Sequence, residues 1–183
     1  MKKTDSFDRL EKFVLELARY AHKDQVRKYT GEPYIHHLIG VANLVKEYGG
    51  STEMVCAALL HDVVEDTSTS DAQLYQILSA TELSEEEARK IVSLVMELTD
   101  RFVKENYPDL NRRQRKALEC ERLSQISPDA QTIKLCDLID NSSTIRESGN
   151  DFARVYLAEK QDILKVMTMG NPQLYERAMQ TGR

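Results

Sequence analysis

Residues 51–67, STEMVCAALLHDVVEDT, constrain the fold of this chain more than any other stretch. The positions from Met54 to Leu60 are all apolar, and a helix that is apolar on every side is normally buried. Four ionisable residues follow at once: His61, Asp62, Glu65 and Asp66. Burying an imidazole and three carboxylates is costly unless a partner compensates them, and a metal ion is the partner that suits this set. The stretch therefore predicts a buried helix that carries part of a metal site.

The composition is that of a globular chain. With 183 residues, 41% of them hydrophobic and 30% charged, we predict a single compact domain over residues 1–183. The apolar runs are too short to cross a bilayer and the N-terminus lacks the apolar stretch of a signal peptide, so we expect a cytoplasmic protein with no membrane partner. The net charge of −5 argues against a nucleic-acid polymer as partner. Three cysteines without CxxC spacing are expected to be reduced core residues: Cys56, Cys120 and Cys136.

Helical periodicity accounts for every strong segment, and the period-two runs that are typical of strands are missing. Capping signals fix several helix starts: Ser51, Ser84 with Glu87 three residues later, and Ser127 before Pro128. Apolar stripes predict further helices over residues 7–22, from His36 and His37 to the Gly49–Gly50 pair, from Asp71, over residues 111–126 and 152–169, and after Asn171 and Pro172. Residues 148–150 are expected to break the chain. We predict an all-α domain of roughly eight or nine helices.

The four ionisable residues of the opening stretch divide into two pairs if the helix continues through them. Glu65 lies one turn beyond His61, and Asp66 lies one turn beyond Asp62. His61 and Asp62 diverge by about 100° and can still meet at one ion. The helix would then supply two ligands and hold two further carboxylates over the site.

A mononuclear site needs ligands from elsewhere in the chain. The candidates that the residues alone leave open are the pair His36 and His37 and the acids Asp137 and Asp140. Asp137 lies within the apolar segment IKLCDLIDN, so it is expected to be a buried carboxylate that needs a partner.

Three motifs, in this order, carry a resemblance to a known family: HKDQVRKYTGEPYIHH, AALLHDVVEDT and IKLCDLIDN. The chain resembles the HD-superfamily metal-dependent phosphohydrolases, specifically the hydrolase domain of RelA/SpoT proteins and the small alarmone hydrolases. The resemblance runs from about residue 18 to 145. An HD dipeptide alone is uninformative, whereas HDxxED within this ordered set is specific.

The resemblance implies a function, a cofactor and a set of site residues. It implies an all-helical enzyme of the stringent response that removes the 3′-diphosphate from a guanosine tetra- or pentaphosphate, a small nucleotide substrate. The implied metal is manganese or another divalent transition metal. The residues that the motifs match are the metal ligands His37, His61, Asp62 and Asp137, the acid pair Glu65 and Asp66 near the attacking water, and the nucleotide-binding residues Arg27, Lys28 and Asn141.

Two alternatives stay open at this stage. One is a phosphohydrolase of the same superfamily that acts on another nucleotide or on a phosphorylated cofactor. The other is a catalytically silent nucleotide sensor, against which the intact HDxxED argues, because a sensor has no need of a water-handling pair. We expect the basic cluster from Arg112 to Lys116 to be an exposed helix face. Lys134, three residues before Asp137, can point to a substrate phosphate or to solvent.

Overall fold

A computed structural model describes residues 7–28, 30–147 and 151–181. Within these ranges the chain forms ten helices and no strand, apart from one isolated antiparallel bridge between Val26 and Pro33. The predicted all-α class is confirmed. No helix among the described residues combines the length and the apolar character that crossing a bilayer requires. The chain divides into two compact units, Met1–Thr99 and Asp100–Arg183, which are described separately below.

The first unit contains six helices: α1 Arg9–Ala21, α2 Ile35–Glu47, α3 Thr52–Leu60, α4 Val63–Asp66, α5 Asp71–Ser79 and α6 Glu85–Leu98. At its centre lies α3, which contacts α1, α2 and α6. All residues of α3 from Met54 to Leu60 are buried, as their uninterrupted apolar character predicts. The metal-site stretch therefore begins in the core of this unit.

The predicted helix starts in this unit are confirmed by the capping contacts. The Ser51 hydroxyl accepts a hydrogen bond from the Met54 amide, and Ser84 and Glu87 form a reciprocal capping box. The second helix ends before Gly49, whose φ of 80° lies in the left-handed region that favours glycine. Asp8 is the N-cap of α1, and its carboxylate accepts a hydrogen bond from the Glu11 amide.

The predicted helix over residues 51–67 is broken. It ends at Leu60, His61 and Asp62 form a turn, and a separate four-residue helix α4 follows. This break is the reason that the structure has more helices than the eight or nine predicted. His61 and Asp62 thus lie at the end of one helix and before the next.

The second unit contains four helices: α7 Arg112–Leu123, α8 Pro128–Glu147, α9 Asp151–Val166 and α10 Pro172–Gln180. The long helix α8 contacts α9 and α10, and α7 contacts α9. Ser127 accepts a hydrogen bond from the Ala130 amide at the start of α8, as its position before Pro128 predicts. The predicted break at residues 148–150 lies outside the described residues.

Candidate metal centre

Three of the predicted ligands meet within the first unit. Asp62 Oδ2 lies 3.1 Å from His61 Nε2 and 3.9 Å from His37 Nε2. Nitrogen atoms of the two imidazoles lie within 4.8 Å of one another, and the rings pack edge to face at a centroid distance of 5.3 Å. His37 and His61 are buried, whereas Asp62 is partly accessible. Two imidazoles and a carboxylate therefore converge on one point, and this point is accessible to solvent on the side of Asp62.

The end of α3 determines which nitrogen of His61 faces this point. His61 Nδ1 lies 2.8 Å from the carbonyl oxygen of Ala58. A carbonyl can only accept a hydrogen bond, so Nδ1 carries the proton and Nε2 has the lone pair in the neutral ring. Anchoring of the far nitrogen by a carbonyl is the usual arrangement of a metal-binding histidine.

The donor set fits a divalent metal ion. Two ligands that each lie about 2.1 Å from an ion, at tetrahedral or octahedral angles, are separated by about 3.0–3.4 Å. The distance of 3.1 Å between His61 Nε2 and Asp62 Oδ2 lies in this range, and the 3.9 Å to His37 is somewhat longer. Imidazole nitrogens with a carboxylate oxygen suit divalent transition metals. The grouping is therefore a candidate site for a divalent metal.

Tyr34 supports the carboxylate of this grouping, and the sequence did not indicate its role. The Tyr34 hydroxyl donates a hydrogen bond of 2.6 Å to Asp62 Oδ2 across 28 residues of sequence. The Tyr34 ring also packs against His37 with a centroid distance of 5.6 Å. Tyr34 thus orients one candidate ligand and contacts a second. Its position three residues before His37, within the motif PYIHH, is the signal that was available.

The acid pair Glu65 and Asp66 lies on α4, directly after the ligand turn. Both residues are exposed to solvent. The pKa of the Asp66 carboxyl is raised, first because the group is partly desolvated and second because the Asp62 carboxylate lies nearby. Interactions with His22, His61 and the Tyr34 hydroxyl act in the opposite direction. Asp66 is therefore electrostatically coupled to the metal grouping.

Arg27 and Lys28 lie in the loop between α1 and α2. The loop is closed by backbone hydrogen bonds from the Arg27 amide to Glu32 and from the Gly31 amide to Arg27, and Gly31 has a φ of 71°. Arg27 is half-buried and Lys28 is exposed. The same loop contains Gln25, whose backbone carbonyl accepts a hydrogen bond from the Tyr34 amide. The loop that carries the two cations is thus joined to the residue that orients Asp62.

In the second unit, the predicted ligand Asp137 and the predicted nucleotide-binding Asn141 contact each other. The Asn141 side-chain amide donates a hydrogen bond of 2.6 Å to Asp137 Oδ1. The other carboxylate oxygen, Oδ2, lies 2.9 Å from Lys134 Nζ. Asp137 is buried, and the Lys134 side chain is only 16% exposed. Lys134 therefore neutralises a buried carboxylate, a role that the sequence left undecided between solvent and a phosphate.

Cations surround this pair. Lys116 forms a 2.9 Å ion pair with Asp100, and the pKa of the Asp100 carboxyl lies below its ordinary value because Lys134 and Lys116 outweigh the raising effect of burial. These three residues, together with Asp137 and Asn141, line a cavity of about 220 Å³. The expected exposed face at Arg112–Lys116 is therefore only partly right. Arg112 and Arg113 are exposed, and Arg112 forms a bidentate ion pair with Glu159. Arg115 and Lys116 are half-buried, and the Arg115 guanidinium donates a hydrogen bond to the Leu110 carbonyl.

The structure also places the other two histidines and the three cysteines. His36 is exposed next to the buried His37, so only one of the two histidines lies at the metal grouping. His22 ends α1, as predicted. Cys56 and Cys136 are buried and Cys120 is half-buried, and none of these three described residues is in a disulfide.

The all-α fold and the histidine–aspartate grouping define a protein with a candidate divalent-metal site. The family model described as HD domain matches residues 14–167. The chain belongs to the HD domain family.

Two similar proteins from different organisms have the same name. The chain is 39% identical over 134 residues to the human guanosine-3′,5′-bis(diphosphate) 3′-pyrophosphohydrolase MESH1, covering 70% of this chain and 66% of that protein. It is 33% identical over 130 residues to the Drosophila melanogaster protein of the same name, covering 69% and 64%. The matched segment thus spans just under two thirds of these relatives.

Two solved structures have a similar fold. One is described as a metazoan ortholog of SpoT that hydrolyzes ppGpp and plays a role in starvation responses. It has a TM-score of 0.79 at 25% identity and covers 96% of this chain and 94% of that chain. A Listeria monocytogenes EGD-e protein has a TM-score of 0.60 at 26% identity and covers 83% and 95%.

Proposed function

We propose that this protein is a metal-dependent hydrolase that removes the 3′-diphosphate from guanosine tetra- or pentaphosphate alarmones. The observation that carries the proposal is the 39% identity to a guanosine-3′,5′-bis(diphosphate) 3′-pyrophosphohydrolase, since the aligned region is long. The convergence of His37, His61 and Asp62 supports it from the chemistry, because such a donor set leaves coordination positions for water and a phosphoryl oxygen. On this proposal the protein acts on a cytoplasmic nucleotide pool, in a stringent-type response.

The proposed metal is manganese, held by His37, His61 and Asp62, with Asp137 of the second unit as fourth ligand. When bound, such an ion lowers the pKa of a water molecule and polarises the phosphoryl group. His61 is prepared for this role by its proton on Nδ1, and Asp62 by its hydrogen bond from Tyr34. Asp137 has a fixed orientation because both of its oxygens have partners on α8.

We assign the proton transfers to the acid pair on α4. Hydrolysis joins a water oxygen to phosphorus, breaks the bond to the ribose 3′ oxygen and releases pyrophosphate. Glu65 and Asp66 accept the proton that the water loses, and a protonated carboxyl returns a proton to the departing 3′ oxygen. The raised pKa of Asp66 favours such exchange, because a carboxyl that is too acidic is a poor base.

The nucleotide contacts are assigned to Arg27, Lys28 and Asn141. An arginine suits both the face of a purine and the charge of a polyphosphate, whereas a lysine acts as a point charge towards phosphate. Arg27 lies in a loop that is closed by its own hydrogen bonds, so its backbone is held without a ligand. Asn141 presents an amide next to Asp137, which gives it a fixed direction.

The proposal is tested by the identity of the leaving group. The manganese-loaded protein is incubated separately with guanosine 3′,5′-bis(diphosphate), with a nucleoside 3′-monophosphate and with a nucleoside 5′-diphosphate, and the products are separated. Release of pyrophosphate from the first compound alone is expected. Orthophosphate from the monophosphate would move the assignment to another phosphohydrolase. Binding without any product would favour the silent sensor.

The adjacent histidines provide a matched control. His37→Ala removes a buried imidazole that lies at the metal grouping, whereas His36→Ala removes an exposed one from the same turn of α2. We expect His37→Ala to lose both manganese binding and turnover, and His36→Ala to keep both. Equal activity of the two variants would refute the proposed metal ligand.

A further inference from the structure

His22 is a buried polar group for which the proposed function has no role. It ends α1 and is only 2% exposed. Its Nδ1 lies 2.6 Å from the side-chain oxygen of Gln25. Among the residues that the structure describes, none forms a hydrogen bond with its buried Nε2. A buried nitrogen of this kind requires an explanation, because leaving it unsatisfied costs free energy.

The hydrogen bonds around Gln25 determine which nitrogen of His22 carries the proton. The Gln25 amide nitrogen donates a hydrogen bond of 3.0 Å to the backbone carbonyl of Asp66. Since that carbonyl can only accept, the amide oxygen of Gln25 is the atom that faces His22, and His22 Nδ1 must be the donor. In the neutral ring, His22 Nε2 is therefore a hydrogen-bond acceptor.

The surroundings place His22 near Asp66 of the acid pair. Its ring stacks on Tyr34 at a centroid distance of 5.2 Å and an interplanar angle of 27°, and Tyr34 in turn bonds Asp62. Gln25 connects it to the backbone of Asp66. The His22 ring also lies close enough to Asp66 for an electrostatic interaction with its carboxyl.

We propose that His22 is a positioning residue of the catalytic pair: its Nε2 accepts a hydrogen bond from a water molecule that donates its other hydrogen to the Asp66 carboxylate. Gln25 fixes the tautomer that this requires, and the stacked Tyr34 ring fixes the plane of the imidazole. The bridge holds the Asp66 carboxylate in one orientation towards the substrate water. This inference rests on the proposed function, because Asp66 is there assigned a role in proton transfer.

Two substitutions of nearly equal size separate the acceptor from the packing. In His22→Asn, the shorter amide takes the place of Nδ1 and can still bond Gln25, but nothing replaces Nε2. In His22→Gln, the longer amide extends to the place of Nε2 and restores an acceptor. We expect kcat for pyrophosphate release to fall about tenfold to a hundredfold in His22→Asn, with KM and manganese affinity little changed. His22→Gln is expected to recover a large part of the loss.

A purely structural role predicts a different pattern, in which both variants lose activity in proportion to their loss of stability on thermal unfolding. Wild-type kcat in His22→Asn, or equal losses in both variants, would overturn the inference. If the wild-type protein releases no product from any nucleotide tested, the proposed function fails, and a spectroscopic measurement still tests His22.

That measurement is the ¹⁵N NMR spectrum of the imidazole nitrogens in the wild-type protein and in Asp66→Asn. We expect His22 to show a protonated Nδ1 and an accepting Nε2. The Nε2 resonance is expected to shift when Asp66 loses its charge, because the bridging water then loses its carboxylate partner. A proton on Nε2 with a bare Nδ1, or an Nε2 resonance that does not respond to Asp66→Asn, would overturn the inference independently of activity.

Discussion

Replacing Tyr34 with phenylalanine tests whether the hydroxyl prepares Asp62 for a metal ion. The substitution removes a single oxygen, which donates a 2.6 Å hydrogen bond to Asp62 Oδ2. The aromatic ring stays, and with it the stacking on His22 and the edge contact with His37. The expected loss therefore belongs to the hydrogen bond and not to the packing.

The size of the effect follows from the type of bond. A hydrogen bond to a charged group contributes about 1.5–3 kcal/mol. Asp62 is only 18% exposed, so water replaces the lost donor incompletely. Without this hydrogen bond the Asp62 carboxylate is no longer held in the orientation that the metal requires, so the free energy of metal binding should become less favourable by most of this amount. At about 1.4 kcal/mol per tenfold change, manganese affinity should fall roughly tenfold to a hundredfold, which is the usual cost of losing a group that orients a ligand.

Isothermal titration of the metal-free protein with manganese measures this effect. Tyr20→Phe is the matched control, because Tyr20 is 72% exposed and its ring contacts the Lys23 amine and not the metal grouping. We expect Tyr20→Phe to bind manganese as the wild type does. An affinity of Tyr34→Phe within threefold of wild type would refute the reasoning that the hydroxyl prepares Asp62.

Three further predictions concern the acid pair, the ion pair at Asp137 and a buried lysine. Glu65→Gln and Asp66→Asn should each bind manganese normally yet lose most turnover, and full activity in both would exclude the assigned roles. Lys134→Met should lower the free energy of unfolding of the metal-free protein by about 1–3 kcal/mol, because it leaves the buried Asp137 carboxylate without its cation. Lys165→Met, which removes an exposed ion pair with the same spacing, should have no measurable effect in the same denaturant titration. Burial lowers the pKa of the Lys160 amine from 10.5 to about 8, so between these two pH values the unfolded chain binds more protons than the folded one and stability should rise with pH. Lys160→Met should lack this rise, and parallel profiles on both sides of pH 8 would contradict the shift.

Local signals in the sequence predicted the helices well. Ser84 with Glu87, and Ser127 before Pro128, mark helix starts through contacts only three residues apart, so the chain itself contains the whole signal. The apolar run of α3 is a local signal as well, because a helix without a polar face has no side that is favourable to expose to water. The division of the chain into two units could not be predicted from the sequence, because no shift in amino-acid composition marks the boundary at residues 99 and 100.

The supporting residues of the candidate site could not be predicted in this way. Tyr34 bonds a residue 28 positions away, and Gln25 bonds the carbonyl of a residue 41 positions away. No spacing rule applies at such separations, because the contact depends on how a loop returns to the core. Lys134 is the exception: it lies three residues before Asp137 on one helix, so the ion pair was within the range of sequence reasoning.

The end of α3 at Leu60 orients the first ligand of the candidate metal site. Near a helix end some backbone carbonyls have no partner within the helix, and Ala58 lies in the last turn of α3. Its carbonyl accepts a hydrogen bond from His61 Nδ1–H. The helix end itself therefore selects the tautomer of His61 and directs Nε2 towards Asp62. The adjacent side chains of His61 and Asp62 approach to 3.1 Å, and both residues have backbone angles in the right-handed helical region. The sequence predicted that this stretch holds ligands because of its buried charges. The structure adds the contact between the Ala58 carbonyl and His61, which fixes the tautomer of one of these ligands.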